Sequence, residues 1–141
     1  MKIKRILLVD DDHVSNFISK KAIEKANFAD EIIVKNNGDD ALVYLNKECP
    51  SLNQYPDLIL LDLKMPGIDG FEFLEAFEMA SKKIKHPIEV VILTSSRNPE
   101  DFMRLRKIGK YYVMNKPLTE SILEDIYHRY FRNREILKRN S

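Results

Sequence analysis

The tightest constraint in this sequence is the stretch from Tyr55 to Gly70, YPDLILLDLKMPGIDG. Leu58, Ile59, Leu60 and Leu61 form an unbroken apolar run of strand length, without the polar alternation of a half-exposed strand, so both its faces are expected to be covered. Such a strand belongs at the centre of a parallel sheet. Asp62 follows directly, and Met65, Pro66 and Gly67 then stop and turn the chain. Open α/β sheets keep their chemistry at the carboxyl ends of their strands, which makes Asp62 the first candidate for a reactive group. Its alternative role, capping the next helix, suits Asp69 better, just ahead of the apolar spacing Phe73, Leu74 and Phe77.

The same grammar repeats along the chain. Ile6 to Val9 is a second apolar run, and it ends in Asp10, Asp11 and Asp12. The spacing Val14, Phe17, Ile18 and Ala22 predicts a helix with that stripe facing inward. Ile32 to Val34 makes a third strand. Asn36 or Asn37 then caps a helix with Ala41, Leu42 and Leu45 inside, Pro50 marks its end, and Glu48 to Pro56 is expected to be a polar loop. A helix from about Asp69 to Ser81 follows the central strand. The strand Ile88 to Leu93 ends in Thr94, Ser95 and Ser96. Asn98 caps a helix whose stripe is Phe102, Leu105 and Ile108, closed by Gly109. Tyr111 to Met114 is a fifth strand, ending in Asn115, Lys116 and Pro117, and Thr119 caps a last helix with Ile122, Leu123, Ile126 and Tyr130 inside. Strand and helix alternate five times, which with right-handed crossovers gives an α/β fold: a single doubly wound five-stranded parallel sheet flanked by five helices.

A chain of 141 residues should form one domain, here residues 1–131, followed by a short basic tail, 132–141, with Arg132, Arg134, Lys138 and Arg139. That tail is too short for a DNA-binding output domain, and a solvated helix end is its simplest reading. Lys and Arg number 23 against 22 Asp and Glu, so no global charge calls for nucleic acid or an anionic membrane. The single cysteine, Cys49, excludes an internal disulfide, and no stretch has the apolar length of a membrane span, so a cytoplasmic protein is expected.

If the five strands run parallel, their carboxyl ends share one edge and bring Asp10, Asp11, Asp62, Thr94 and Lys116 within reach of each other. The carboxylates form an oxygen-rich site of the kind Mg²⁺ prefers. Clustered acids without a cation should raise at least one pKa. The Lys116 ammonium and the Thr94 hydroxyl suit the remaining oxygens of a transferred phosphoryl group, and a carboxylate is a competent nucleophile toward phosphorus. Taken singly, an acidic triplet after a strand is commonly a helix cap, and lone Lys and Thr residues are commonly surface. Jointly, at strand ends and nowhere else, the five read as phosphoryl transfer to Asp62.

The motifs ILLVDDD, LILLDLKMPGIDG, VILTSS and NKPL, in this order across residues 3 to about 130, resemble the receiver domain of two-component response regulators. The resemblance implies a flavodoxin-like receiver topology in which Asp62 accepts a phosphoryl group from a sensor histidine kinase or a histidine phosphotransfer protein. It implies that Asp10, Asp11, Asp62 and the carbonyl of Lys64 surround Mg²⁺, that Thr94 carries a switching hydroxyl, and that Lys116 contacts the phosphoryl group. It also implies a cis peptide bond before Pro117. Self-hydrolysis of the phosphoryl group, rather than turnover of an external substrate, would make this a signalling domain and not an enzyme. An unidentified downstream protein would read the face built from the helix at Asn98 to Ile108, the strand at Tyr111 to Met114 and the last helix.

Two features depart from the family pattern. Val113 stands where the family commonly has an aromatic; Tyr111 shares its face but lies about 6.6 Å along the strand, and Tyr112 points the other way. The segments from Glu48 to Pro56 and from Ser81 to Pro87 are long, as in stand-alone receivers. A rival pattern also exists. Asp10, Asp12 and Val14 fit the motif of haloacid-dehalogenase-like phosphatases, with Asp10 as nucleophile. That reading needs a further acidic pair at a strand end, whereas Glu120, Glu124 and Asp125 fall on a predicted helix, and it leaves Asp62 without a job.

Overall fold

The computed structural model describes residues 1–134. Lys138 and Arg139 of the expected tail lie outside the described residues. The elements are β1 (Ile3–Val9), α1 (His13–Ala26), β2 (Ala29–Lys35), α2 (Gly38–Val43), α3 (Cys49–Leu52), β3 (Leu58–Leu61), α4 (Gly70–Ser81), β4 (Glu89–Thr94), α5 (Pro99–Ile108), β5 (Tyr112–Asn115) and α6 (Glu120–Tyr130). The strands form one parallel sheet in the order β2-β1-β3-β4-β5. All four residues of β3 are buried, because both its neighbours and both helical layers cover it.

Side-chain alternation along each strand splits the core in two. Leu7, Val9, Ile59, Leu61 and Ile92 face a layer with Ala41, Leu45, Phe71, Phe73, Leu74 and Leu105. Ile6, Leu8, Leu58, Leu60, Val91 and Leu93 face the opposite layer with Ile23, Phe28, Leu123 and Ile126. Hence α1 and α6 cover one side of the sheet, and α2 to α5 cover the other.

Two expectations about the helices are overturned. In α1, Val14, Phe17 and Ile18 are not the inner stripe: they are 66%, 62% and 41% exposed. The buried face is Asn16, Ser19 and Ile23, itself a spacing of three and four residues. Asp12 caps the helix by accepting from the amides of Val14 and Ser15. Asn16 then turns inward, where its amide donates to the Asp10 carbonyl at 2.9 Å. That polar anchor outweighs the pull of the apolar residues on the other side.

Pro50 does not end the second helix, nor is Glu48 to Pro56 wholly loop. Residues Tyr44–Glu48 form a π-turn that joins α2 to α3 in one helical run. The Cys49 amide donates to the carbonyl of Tyr44, five residues back. Pro50 thereby falls in the first turn of α3, where its missing N–H is tolerated. Asn53, in the left-handed conformation, ends the run. With this join, five helical runs flank the sheet.

The amino end of the sheet is fastened by one side chain. Asp57 Oδ2 accepts from the amides of Lys4 (3.0 Å) and Arg5 (3.3 Å), and its Oδ1 meets His86 Nε2 at 2.8 Å. Its backbone donates to the Arg5 carbonyl and accepts from the Glu89 amide. Residues 132–134 are helical, and Arg134 pairs with Glu89 at 2.5 Å. The start of the expected tail is thus docked rather than solvated.

Candidate functional site

Strand register decides which side chains meet. Val9 lies opposite Leu61, Leu61 opposite Ile92, and Thr94 opposite Asn115. The next residues, Asp10, Asp62 and Lys116, therefore emerge at one edge beside Thr94, the last residue of β4. The Asp62 amide donates to the Val9 carbonyl and the Lys116 amide to the Thr94 carbonyl, which extends the ladder to the site itself. Carboxylate oxygens of Asp10, Asp11 and Asp62 come within 4.8 Å of one another. All five residues singled out from the sequence are brought together.

Lys116 is the hub of the arrangement. Its Nζ is 2.6 Å from Asp10 Oδ2 and 3.4 Å from Asp62 Oδ2. Burial works against its charge, yet these two carboxylates raise its pKa and hold it protonated. Asp62 is 8% exposed. Burial raises its pKa first and foremost, Asp10 adds to the rise, and the Lys116 ammonium and the Lys64 amide oppose it. The expected rise is present, then, with desolvation rather than mutual repulsion as its main cause. The Lys116–Pro117 peptide bond is cis.

Asp62 opens into a cleft of about 680 Å³ lined by Asp11, Lys64, Thr94, Ser96, Asp101 and Lys116, among others. Thr94 is 1% exposed and its Oγ1 accepts from the Ser96 amide at 3.1 Å. The close approach of α4 shapes the floor. A Cβ on Gly70 would lie 2.4 Å from the Asp62 carbonyl oxygen and 2.7 Å from Leu63 Cα. Only glycine lets the strand end and the helix start meet there, and the Gly70 amide donates to the Leu63 carbonyl at 3.0 Å.

Three hard carboxylates around one ammonium leave the cluster net negative, and Asp11 is its most solvent-facing member. The donor set fits a divalent cation that prefers oxygen. Asp12 takes no part in that cluster; it caps α1.

Residues missed in the sequence also line the cleft. Asp101 is 6% exposed and bonded to both Lys64 and Ser96. A signal existed: Asp101 shares the helix face of Leu105 and Ile108, four and seven residues on, an odd place for an unpaired acid. On the neighbouring edge, Tyr111 and Val113 pack against one core layer and Tyr112 and Met114 against the other, as strand alternation requires. The Tyr111 hydroxyl donates to Glu78 of α4, and its ring closes over Gly109, where an added Cβ would be 3.1 Å away.

A family model described as the response regulator receiver domain matches residues 6–128. A solved two-component response regulator from Cytophaga hutchinsonii aligns at a TM-score of 0.80 and 32% identity, covering 92% of this chain and 98% of that one. A phosphorylated cyanobacterial phytochrome response regulator, RcpA, aligns at a TM-score of 0.74 and 29% identity, covering 92% and 95%. Sporulation initiation phosphotransferase F of Bacillus subtilis is 27% identical over 130 residues, which cover 92% of this chain and 95% of that protein. Among the described residues no helix is long and apolar enough to cross a membrane.

Proposed function

This chain belongs to the response regulator receiver family of two-component systems, and on that premise we propose that Asp62 is its phosphoryl acceptor, with Asp10, Asp11 and the Lys64 carbonyl as the remaining protein ligands of Mg²⁺. The observation that carries the reading is the position of Lys116, shared between Asp10 and Asp62 at the mouth of a cleft that also holds the Thr94 hydroxyl. Mg²⁺ bound among the acids would offset their charge and attract phosphoryl oxygens. Asp62 attacks phosphorus and the leaving group departs with the electron pair. Lys116 keeps its proton and neutralises an oxygen of the product. The Thr94 hydroxyl, now accepting from Ser96, turns to donate to another. Incubation with acetyl phosphate and Mg²⁺ should add the mass of one phosphoryl group to the intact protein, mapped to Asp62. The phosphatase reading with Asp10 as nucleophile is not supported: the family match is to a receiver, and Glu120, Glu124 and Asp125 lie on α6 and not at a strand end.

Asp11→Asn should weaken Mg²⁺ binding by about tenfold or more, roughly 1.4 kcal/mol. In the wild type, affinity should fall as pH drops and Asp62, whose pKa burial raises, takes up a proton. Titration calorimetry reads both, and equal affinities in the two proteins would remove Asp11 from the metal site.

The donor would be a histidine-phosphorylated kinase or phosphotransfer protein. Val14, Phe17 and Ile18 stand exposed on α1, whose capping residue Asp12 lies on the rim of the Asp62 cleft. Any protein that brings a phosphohistidine to Asp62 must cover this rim, so the apolar face is its seat. Phe17→Glu should slow transfer from such a donor by about tenfold, as expected for a central apolar anchor, while labelling by acetyl phosphate proceeds as before. Equal slowing of both would place Phe17 in the fold rather than in recognition. Signalling then passes to a downstream protein through the face of α5, β5 and α6.

A further inference from the structure

Lys64 and Ser96 each touch the reactive cluster with the backbone and a single distant carboxylate with the side chain. The Lys64 amide lies close enough to the Asp62 carboxylate to lower its pKa, while its ammonium lies 3.0 Å from Asp101 Oδ1. The Ser96 amide donates to Thr94 Oγ1, while its hydroxyl donates to Asp101 Oδ2 at 2.5 Å. Asp101 comes from the first turn of α5 and is 6% exposed, whereas the Lys64 side chain is 62% exposed. Burial works against the charge of Asp101, but the Ser96 hydroxyl and the Lys64 ammonium hold its carboxyl below the usual range. It is therefore a charged, immobile anchor, and Lys64 is its movable partner. Lys64, Ser96 and Asp101 line the same cleft as Asp62.

We propose that Asp101 is a positioning residue that draws the Lys64 ammonium aside from the mouth of the Asp62 cleft and thereby sets how long the phosphorylated state lasts. The inference rests on Asp62 being the phosphoryl acceptor. In hydrolysis a water oxygen bonds to phosphorus as the bond from phosphorus to the Asp62 oxygen breaks. The carboxylate leaves with that electron pair, and the proton of the water passes to the phosphate. Water must enter opposite the leaving oxygen, through the open mouth. Held by Asp101, Lys64 leaves that approach clear. Released, its ammonium pairs with the phosphoryl oxygens, the nearest dianion, and covers it.

Phosphate release is followed after labelling with acetyl phosphate, on the wild type, Asp101→Asn, Asp101→Glu, Lys64→Ala and Asp101→Asn/Lys64→Ala. Asparagine keeps the shape and can still accept from Ser96 but loses the charge. Asp101→Asn should lengthen the phosphoryl lifetime about fivefold, the scale of one largely exposed ion pair. Asp101→Glu should return it toward wild type, and in the Lys64→Ala background Asp101→Asn should change nothing. A merely structural Asp101 would act equally with or without the Lys64 side chain. An equal change in both backgrounds, an unchanged lifetime, or a shorter one in Asp101→Asn overturns the proposal. A wild type that takes up no phosphoryl group overturns the acceptor reading and this inference together, whereas normal uptake with an Asp101-independent lifetime overturns this inference alone.

Discussion

Asp62→Asn should take up no phosphoryl group from acetyl phosphate and yet should unfold at a higher temperature than the wild type. The first half follows from chemistry, because an amide cannot make the attacking bond and the neighbouring acids are assigned elsewhere, Asp11 to the proposed metal site. Asp10 is tied to Lys116 and to the Asp12 amide, and Asp12 caps α1. The second half follows from the raised pKa of Asp62, caused chiefly by burial. A carboxyl whose folded pKa exceeds its unfolded value costs nothing below the unfolded value, where both states are protonated. Its penalty grows as pH rises and is complete above the folded pKa. Asparagine removes that penalty, so the gain is present at neutral pH and disappears as pH falls toward the ordinary carboxylate range. About 1 kcal/mol, or about 3 °C, is the expected size, in line with other functional sites that trade stability for activity. Intact mass and calorimetry at two pH values check both halves. A mass gain in the variant would remove Asp62 as the acceptor, and an equal or lower unfolding temperature would show that Lys116 already offsets the burial of Asp62.

Gly70→Ala should destabilise the fold by about 3 kcal/mol, the upper part of the range for overpacking, and should slow phosphorylation as well. Alanine ordinarily favours a helix over glycine, so propensity alone gives the opposite sign. Proximity decides it. The new methyl would lie 2.4 Å from the Asp62 carbonyl oxygen, a backbone atom that no side-chain rotation can move. Either α4 backs away, opening the layer around Phe71, Phe73 and Leu74, or the end of β3 shifts and takes the Asp62 carboxylate off Lys116. Denaturant unfolding with an unchanged slope measures the first cost, and the acetyl phosphate labelling rate the second. Wild-type values for both would mean the strand end can retreat freely.

The sheet and its reactive edge were legible because two strong signals agree there. Apolar runs such as Leu58 to Leu61 mark strands buried on both faces, and the residue just past each run must lie at the shared edge. The orientation of α1 was not legible, because apolar spacing assumes that apolar residues turn inward. Here an asparagine amide seeking the Asp10 carbonyl turned the helix over. The run through Pro50 was hidden because a proline stops a regular helix but not one widened by a π-turn. Asp101 was hidden because its partners come from two separate loops, and pairings of that kind depend on the register of β3 against β4. Val113 and Tyr111 came out as alternation required, and the bond from Tyr111 to Glu78 gives that ring a fixed duty on α4, apart from any movement of Thr94.

The two ends of the sheet differ in how easily they part. At the amino end, Asp57 holds β1 by two amides and a carbonyl, β4 by the Glu89 amide, and the segment before β4 through His86, so five hydrogen bonds must fail together before any strand there separates. At the carboxyl end the backbone ladder runs on through Asp62 and Lys116, and beyond it lie charges that a ligand can rearrange. Local opening therefore has a direction. Transient excursions should start among the loops around Asp62 and Thr94 and stop at Asp57, and amide exchange should find the protons of Lys4 and Arg5 slower than those of the cleft loops.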